Sequence, residues 1–151
     1  MTISDIPFVP PLIDNESAPF WAGLAAGELR IQRCRDCGRR RLPPRPMCPY
    51  CRSLRSEWKG VAPTGTIWSF VIVHPPVLPV FAEATPYNVI NIALDADPTI
   101  RLIGNLIAEP PDDAPLRPSD DLVIGAAVEA VITQVEPDLW LPRWRLRSAS
   151  S

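Results

Sequence analysis

Cys34-Arg35-Asp36-Cys37-Gly38 and Cys48-Pro49-Tyr50-Cys51 are the stretches on which the fold of this chain turns. They hold all four of its cysteines. Two C-x-x-C pairs at this separation have the spacing of two metal-binding knuckles. Each pair forms a tight turn that aims two sulfurs at one ion. Gly38 stands where such a turn needs a positive φ without a Cβ. Two pairs close a tetrahedral four-sulfur site with no position left for water, so the expected metal is structural, with zinc the default. Iron in the rubredoxin manner uses similar turns and stays open on spacing alone. A thioredoxin-like redox pair would need a βαβ context, which does not follow here. Two disulfides would suit an exported chain, but the first residues, Met1-Thr2-Ile3-Ser4-Asp5, have no basic segment leading into an apolar one. Paired thiols without an export signal place the protein in the cytoplasm as an expectation.

Working outward from the cysteines, charge divides the chain. Ten of its fifteen basic residues fall between Arg30 and Lys59, opposed only by Asp36 and Glu57, which leaves that segment at +8. Five basic and fifteen acidic residues leave the rest at −10. The metal module is thus an anion-seeking patch on an acidic body. Seven arginines between Arg30 and Arg45 exceed what a negative four-thiolate centre needs for balance. Arg39, Arg40, Arg41 and Arg45, which lie between the knuckles, are therefore candidates to contact an anionic ligand or an acidic partner face.

Upstream, residues 1–16 are proline-punctuated and aperiodic, the signature of an extended arm lying on another surface. Ser17 can cap a short helix with Pro19 in its first turn and Gly27 at its end. Phe20, Trp21, Leu24 and Ala25 share one face of that helix, and Phe20 and Trp21, large for so short a segment, are expected to dock it on a partner surface. Leu29 to Arg33 alternates as a strand entering Cys34. Downstream, β-rich runs occupy 65–74, 88–94, 99–108, 127–133 and 140–147. In the last, Trp144 and Leu146 alternate with Arg143, Arg145 and Arg147. Five short strands, a long first one and a long connection over 109–126 predict a small OB-type barrel. Twenty prolines argue against a helical bundle, and no stretch is long enough to span a bilayer. The expected fold is mainly β: arm and short helix over 1–27, a four-cysteine zinc ribbon over 28–60, a five-stranded OB-fold barrel over 61–147 and a tail over 148–151.

Pro75-Pro76-Val77-Leu78-Pro79-Val80-Phe81 is uncharged and cannot make regular ladder bonds. It either folds back over the barrel mouth or meets a partner or an apolar ligand. The lone histidine, His74, precedes it. It reads as a hydrogen-bonded structural residue, or as a ligand contact together with Phe81. Asp112-Asp113 and Asp120-Asp121 read as solvated loop carboxylates. The chain has no spare cysteine, no G-x-S-x-G and no phosphate-binding glycine loop, and so offers no self-contained active site.

The aromatic helix, Cys34-Arg-Asp-Cys37-Gly38, Pro43-Pro44-Arg45 and Cys48-Pro49-Tyr50-Cys51, followed by Gly65-Thr66-Ile67-Trp68-Ser69-Phe70, His74, Pro86-Tyr87 and Ile124-Gly125, resemble the DUF35 family from about Phe20 to Thr133. Ala126-Ala127 after Gly125 is blander than the family pattern. The resemblance implies a rubredoxin-like zinc ribbon joined to an OB fold, with Cys34, Cys37, Cys48 and Cys51 as the ligands. It also implies a non-catalytic, acyl-CoA-associated accessory subunit of a thiolase-like enzyme in lipid or steroid side-chain metabolism. CoA offers phosphates to arginines and an acyl group to an apolar slot. The alternatives are a ligand-free scaffold and a single-stranded nucleic-acid binder. The acidic barrel half opposes the latter.

Overall fold

The computed structural model describes residues 5–108 and 116–148. Its elements are α1 (Ala18–Ala25), β1 (Leu29–Cys34), β2 (Arg40–Arg41), β3 (Ser56–Val61), β4 (Thr64–Val73), a 3-10 segment (Pro79–Ala84), β5 (Tyr87–Leu94), β6 (Arg101–Gly104), β7 (Ala127–Glu136) and β8 (Leu139–Leu146). Asp112 and Asp113 lie outside the described residues. Asp120 and Asp121 are exposed.

Two antiparallel sheets result. β2, β1 and β3 form the ribbon, in the order β2-β1-β3. The larger sheet runs β6-β5-β4-β7-β8. Just past β6, Leu106 makes a parallel bridge to Trp144 of β8, which closes the sheet into a barrel. Ile107 N–H donates to the Trp144 carbonyl at 2.7 Å, and Trp144 N–H to that of Asn105 at 3.0 Å. The expected third strand is therefore a four-residue ladder that continues as this seam. β3, a strand the sequence did not announce, pairs with all of β1.

Period-two alternation sends Ile90 and Ile92 of β5 inward, where they meet Ile67, Leu102, Val128 and Trp144. Trp144 is fully buried. The same cluster includes Phe20 and Leu24 of α1 and Leu29 and Ile31 of β1, so helix, ribbon and barrel share one core. Each fully buried leucine or isoleucine stabilises the fold by roughly 1.5–3 kcal/mol relative to exposure. Only Ala62 and Pro63 separate β3 from β4. A second, smaller cluster joins Ile6 to Ile107 and Leu116, so the N-terminal arm does lie on the barrel at Ile6.

Ser17 occupies the N-cap of α1 but does not bond a helix amide. Its hydroxyl accepts from Asp14 N–H at 3.1 Å, while Asp14 Oδ1 accepts from Ser17 N–H at 2.8 Å, which closes the turn before the helix instead. At the other end Gly27 takes φ +78°, with Glu28 N–H on the Gly23 carbonyl and Gly27 N–H on that of Leu24. This Schellman closure turns the chain into β1.

Candidate metal centre and flanking clefts

The four cysteine sulfurs lie within 4.8 Å of one another. Cys34 Sγ is 3.6 Å from Cys51 Sγ, and Cys37 Sγ is 3.7 Å from Cys48 Sγ. Four sulfurs at about 2.3 Å from one zinc would stand about 3.8 Å apart, so the cluster fits a tetrahedral ion. Cys34 and Cys48 are buried, whereas Cys37 and Cys51 face outward.

The two knuckles repeat one design. Gly38 N–H bonds the Cys34 carbonyl, and Arg52 N–H bonds that of Cys48. Gly38 has φ +76°, as expected, and Arg52 occupies the matching left-handed position with φ +64°. Asp36 bonds both Ser53 and Arg55, a tie from the first knuckle to the residues after the second. The Arg55 guanidinium, then Ser53, holds the Asp36 carboxyl below its usual range.

Electrostatics ask for a cation here. The Cys37 backbone amide, with that of Asp36, brings Cys34 down to about 6. The Ser53 amide favours the Cys51 thiolate, yet partial desolvation and three neighbouring sulfurs push its thiol up to about 12. Crowding thiolates against one another is unfavourable. A divalent ion would remove that conflict.

The arginines between the knuckles do not converge. Arg39 stacks its guanidinium 4.3 Å over the Tyr50 ring. Arg40 Nη1 reaches the Ala96 carbonyl at 3.4 Å. Arg41, next along β2, points the opposite way and is buried, donating from Nη2 to the Arg45 carbonyl at 2.9 Å. Arg45 is exposed, and its N–H is held by Gln32 Oε1 at 2.8 Å. Arg41 is therefore a ribbon fastener, set apart from the exposed Arg39 and Arg45.

His74 is exposed immediately after β4. In the proline segment Leu78 and Val80 point outward, while Phe81 packs against Tyr87 with ring centroids 5.8 Å apart. Phe81 lines a cleft of about 420 Å³ bounded by the arm, α1 and the barrel. Trp21, half-buried, forms a wall between this cleft and a second of about 310 Å³ that also includes Pro43, Pro44 and Arg101. Phe20, expected with Trp21 as an outward anchor, is instead buried in the core.

Three polar residues escaped the sequence reading. Asn88, fully buried, donates from Nδ2 to the Leu106 and Leu116 carbonyls and accepts from Leu106 N–H, pinning the crossover after β6. Asn105 donates to the Asn88 carbonyl at 2.6 Å. Arg143, which alternation assigned to an outer face, is buried. Nothing in its local pattern separates it from the exposed Arg145.

A zinc-ribbon module packed on a closed five-stranded OB barrel defines the class. Residues 21–57 match the ChsH2 rubredoxin-like zinc ribbon domain, and residues 58–133 match the ChsH2 C-terminal OB-fold domain. The chain belongs to this ChsH2-type DUF35 family. It is 32% identical over 135 residues to a probable enoyl-CoA hydratase alpha subunit of Thermomonospora curvata, covering 89% of this chain and 39% of the relative. It is 33% identical over 96 residues to the 3-oxo-4,17-pregnadiene-20-carboxyl-CoA hydratase alpha subunit of Mycobacterium tuberculosis, covering 64% and 29%. The chain thus spans well under half of either hydratase subunit. Among solved structures, a chain of the Ltp2-ChsH2(DUF35) aldolase superposes with a TM-score of 0.74 at 31% identity, covering 91% of this chain and 98% of that one. A DUF35 protein of unknown function from Sulfolobus solfataricus shares the fold, with a TM-score of 0.56 at 16% identity.

Proposed function

We propose that this chain is a non-catalytic accessory subunit of a thiolase- or aldolase-type enzyme acting on acyl-CoA substrates, with one structural zinc held by Cys34, Cys37, Cys48 and Cys51. The observation that carries the reading is its near full-length match to a chain of the Ltp2-ChsH2(DUF35) aldolase, whose name joins Ltp2 to the DUF35 component. The hydratase alpha subunits among its relatives support CoA-ester chemistry in the steroid and lipid range. In this reading the exposed Arg39 and Arg45, with Arg40 beside them, meet CoA phosphates or an acidic partner face. Trp21, Leu78 and Val80 meet the partner, and Phe81 and His74 lie on the ligand side. The cytoplasm is the proposed location. The ribbon's charge could also serve a single-stranded nucleic acid, but the acidic barrel would repel one along an OB groove.

Co-expression with a thiolase-like protein of the same cell tests the reading. The expected result is a stable complex holding one zinc per copy of this chain, with acyl-CoA turnover only in the complex. Turnover by the isolated chain, or failure to associate in low salt, would count against it. Less than half an equivalent of zinc with no iron would remove the metal assignment.

A further inference from the structure

The cleft of about 420 Å³ has a size typical of small-molecule sites, about 300–1,000 Å³. Five of the chain's eleven aromatic residues line it: Phe8, Phe20, Trp21, Phe81 and Tyr87. Against that apolar lining stands one cation. Arg143 contributes to the cleft wall and is only 5% exposed. Its Nη1 donates to Asn105 Oδ1 at 2.7 Å. Its Nε and Nη2 are buried with no hydrogen-bond partner. Those two nitrogens form one edge of the guanidinium, the two-pronged edge that donates to both oxygens of a carboxylate side-on. Among the described residues, no carboxylate forms an ion pair with Arg143. Burial alone lowers its pKa, the mark of an uncompensated cation. Arg41 is also under-satisfied, but it does not line this cleft.

An unpaired buried charge is costly, and an anion that enters the cleft offsets that cost. We propose that this cleft binds a small apolar carboxylate, its hydrocarbon part against Trp21, Phe81 and Tyr87 and its head group on the Nε–Nη2 edge of Arg143. Both nitrogens are shielded in the free fold, so the guanidinium turns within the wall as the head group arrives. The N-terminal arm forms another part of the same wall through Pro7 and Phe8. Beyond Phe8 its apolar residues Val9, Leu12 and Ile13 are exposed rather than packed. The site shares Trp21 and Phe81 with the surfaces assigned above to the partner and to CoA, but its test uses neither of those, so its outcome is separate from that of the accessory-subunit reading.

The test is calorimetric titration of the zinc-loaded full chain with octanoate, and with octanamide as its uncharged counterpart. Octanoate is expected to bind one-to-one and at least tenfold more tightly than octanamide. Arg143→Met should abolish that preference, octanoate falling to no more than the affinity of octanamide. Equal affinity for the two ligands, or saturable binding of neither, would overturn the proposal. So would a folded Arg143→Met variant that keeps the preference. If Arg143→Met fails to fold, the comparison on the unaltered protein still decides, because it needs no variant.

Discussion

Arg52 and Gly38 hold equivalent places in the two knuckles, yet only one of them is suited to its backbone. A left-handed conformation costs a residue with a Cβ roughly 1–2 kcal/mol. Replacing Arg52 by glycine removes that strain but adds freedom to the unfolded chain worth roughly 0.5–1 kcal/mol. Arg52→Gly is therefore expected to raise stability slightly, by about 0.5 kcal/mol in net. Gly38→Ala should do the reverse and lose about 1 kcal/mol or more, since a Cβ there would also sit 3.3 Å from Arg33 Nη2. Urea unfolding of the zinc-loaded protein reads both, and a stabilised Gly38→Ala would refute the symmetry between the knuckles. The ribbon arginines allow a second experiment. Arg39→Ala combined with Arg45→Ala should weaken CoA binding severalfold at low salt and much less at high salt. Unchanged affinity at low salt would reduce both to solubilising charge. The metal site was legible at this scale because four ligand identities and two spacings suffice to specify it. The fates of the arginines were not. Charge can be counted along a chain, but tertiary partners decide that Arg41 turns in toward the Arg45 carbonyl while Arg39 lies on Tyr50.

Elements were legible in proportion to how far local pattern governed them. β4, β5 and β7 follow from runs rich in β-branched residues and β8 from the alternation of Trp144 and Leu146 with arginines, and their positions agree with the sequence reading. β3 did not declare itself. Ser56-Glu57-Trp58-Lys59-Gly60-Val61 is polar and interrupted by glycine, and it becomes a strand because β1 offers a full ladder beside it. Helix α1 was found, but its two aromatics were given one role and have two. Phe20 is 9% exposed and belongs to the core, whereas Trp21 packs on the core's margin between two clefts. Phe20→Ala should accordingly cost about 3–5 kcal/mol, the range for a buried phenylalanine. Trp21→Ala should cost clearly less stability and more partner affinity. Thermal unfolding and a partner-binding assay on the two variants separate these effects. Equal stability losses with intact association would place Trp21 in the core alone.

Across the whole molecule, Leu29 and Ile31 of the ribbon are packed in the same cluster as Ile67, Ile92 and Trp144 of the barrel. A structural metal contributes folding free energy to whatever is cooperatively joined to it. Chelation should therefore lower the melting temperature of the entire chain as one transition. Zinc release and loss of near-ultraviolet tryptophan dichroism would then coincide. A barrel that survives chelation and melts separately would show that the shared core does not transmit the loss. The parallel bridge between Leu106 and Trp144 bears on how this protein keeps company. At that seam the sheet has no vacant edge to lend, so another chain cannot be recruited there by adding a strand. The ribbon sheet keeps two free margins: β2 is two residues long, both arginines, and β3 runs the six residues Ser56–Val61. Closure takes the barrel seam out of play as a template for added strands, and the ribbon's edges carry Arg40, Arg41, Glu57 and Lys59, charges that discourage another chain from extending the sheet and leave selectivity to side chains.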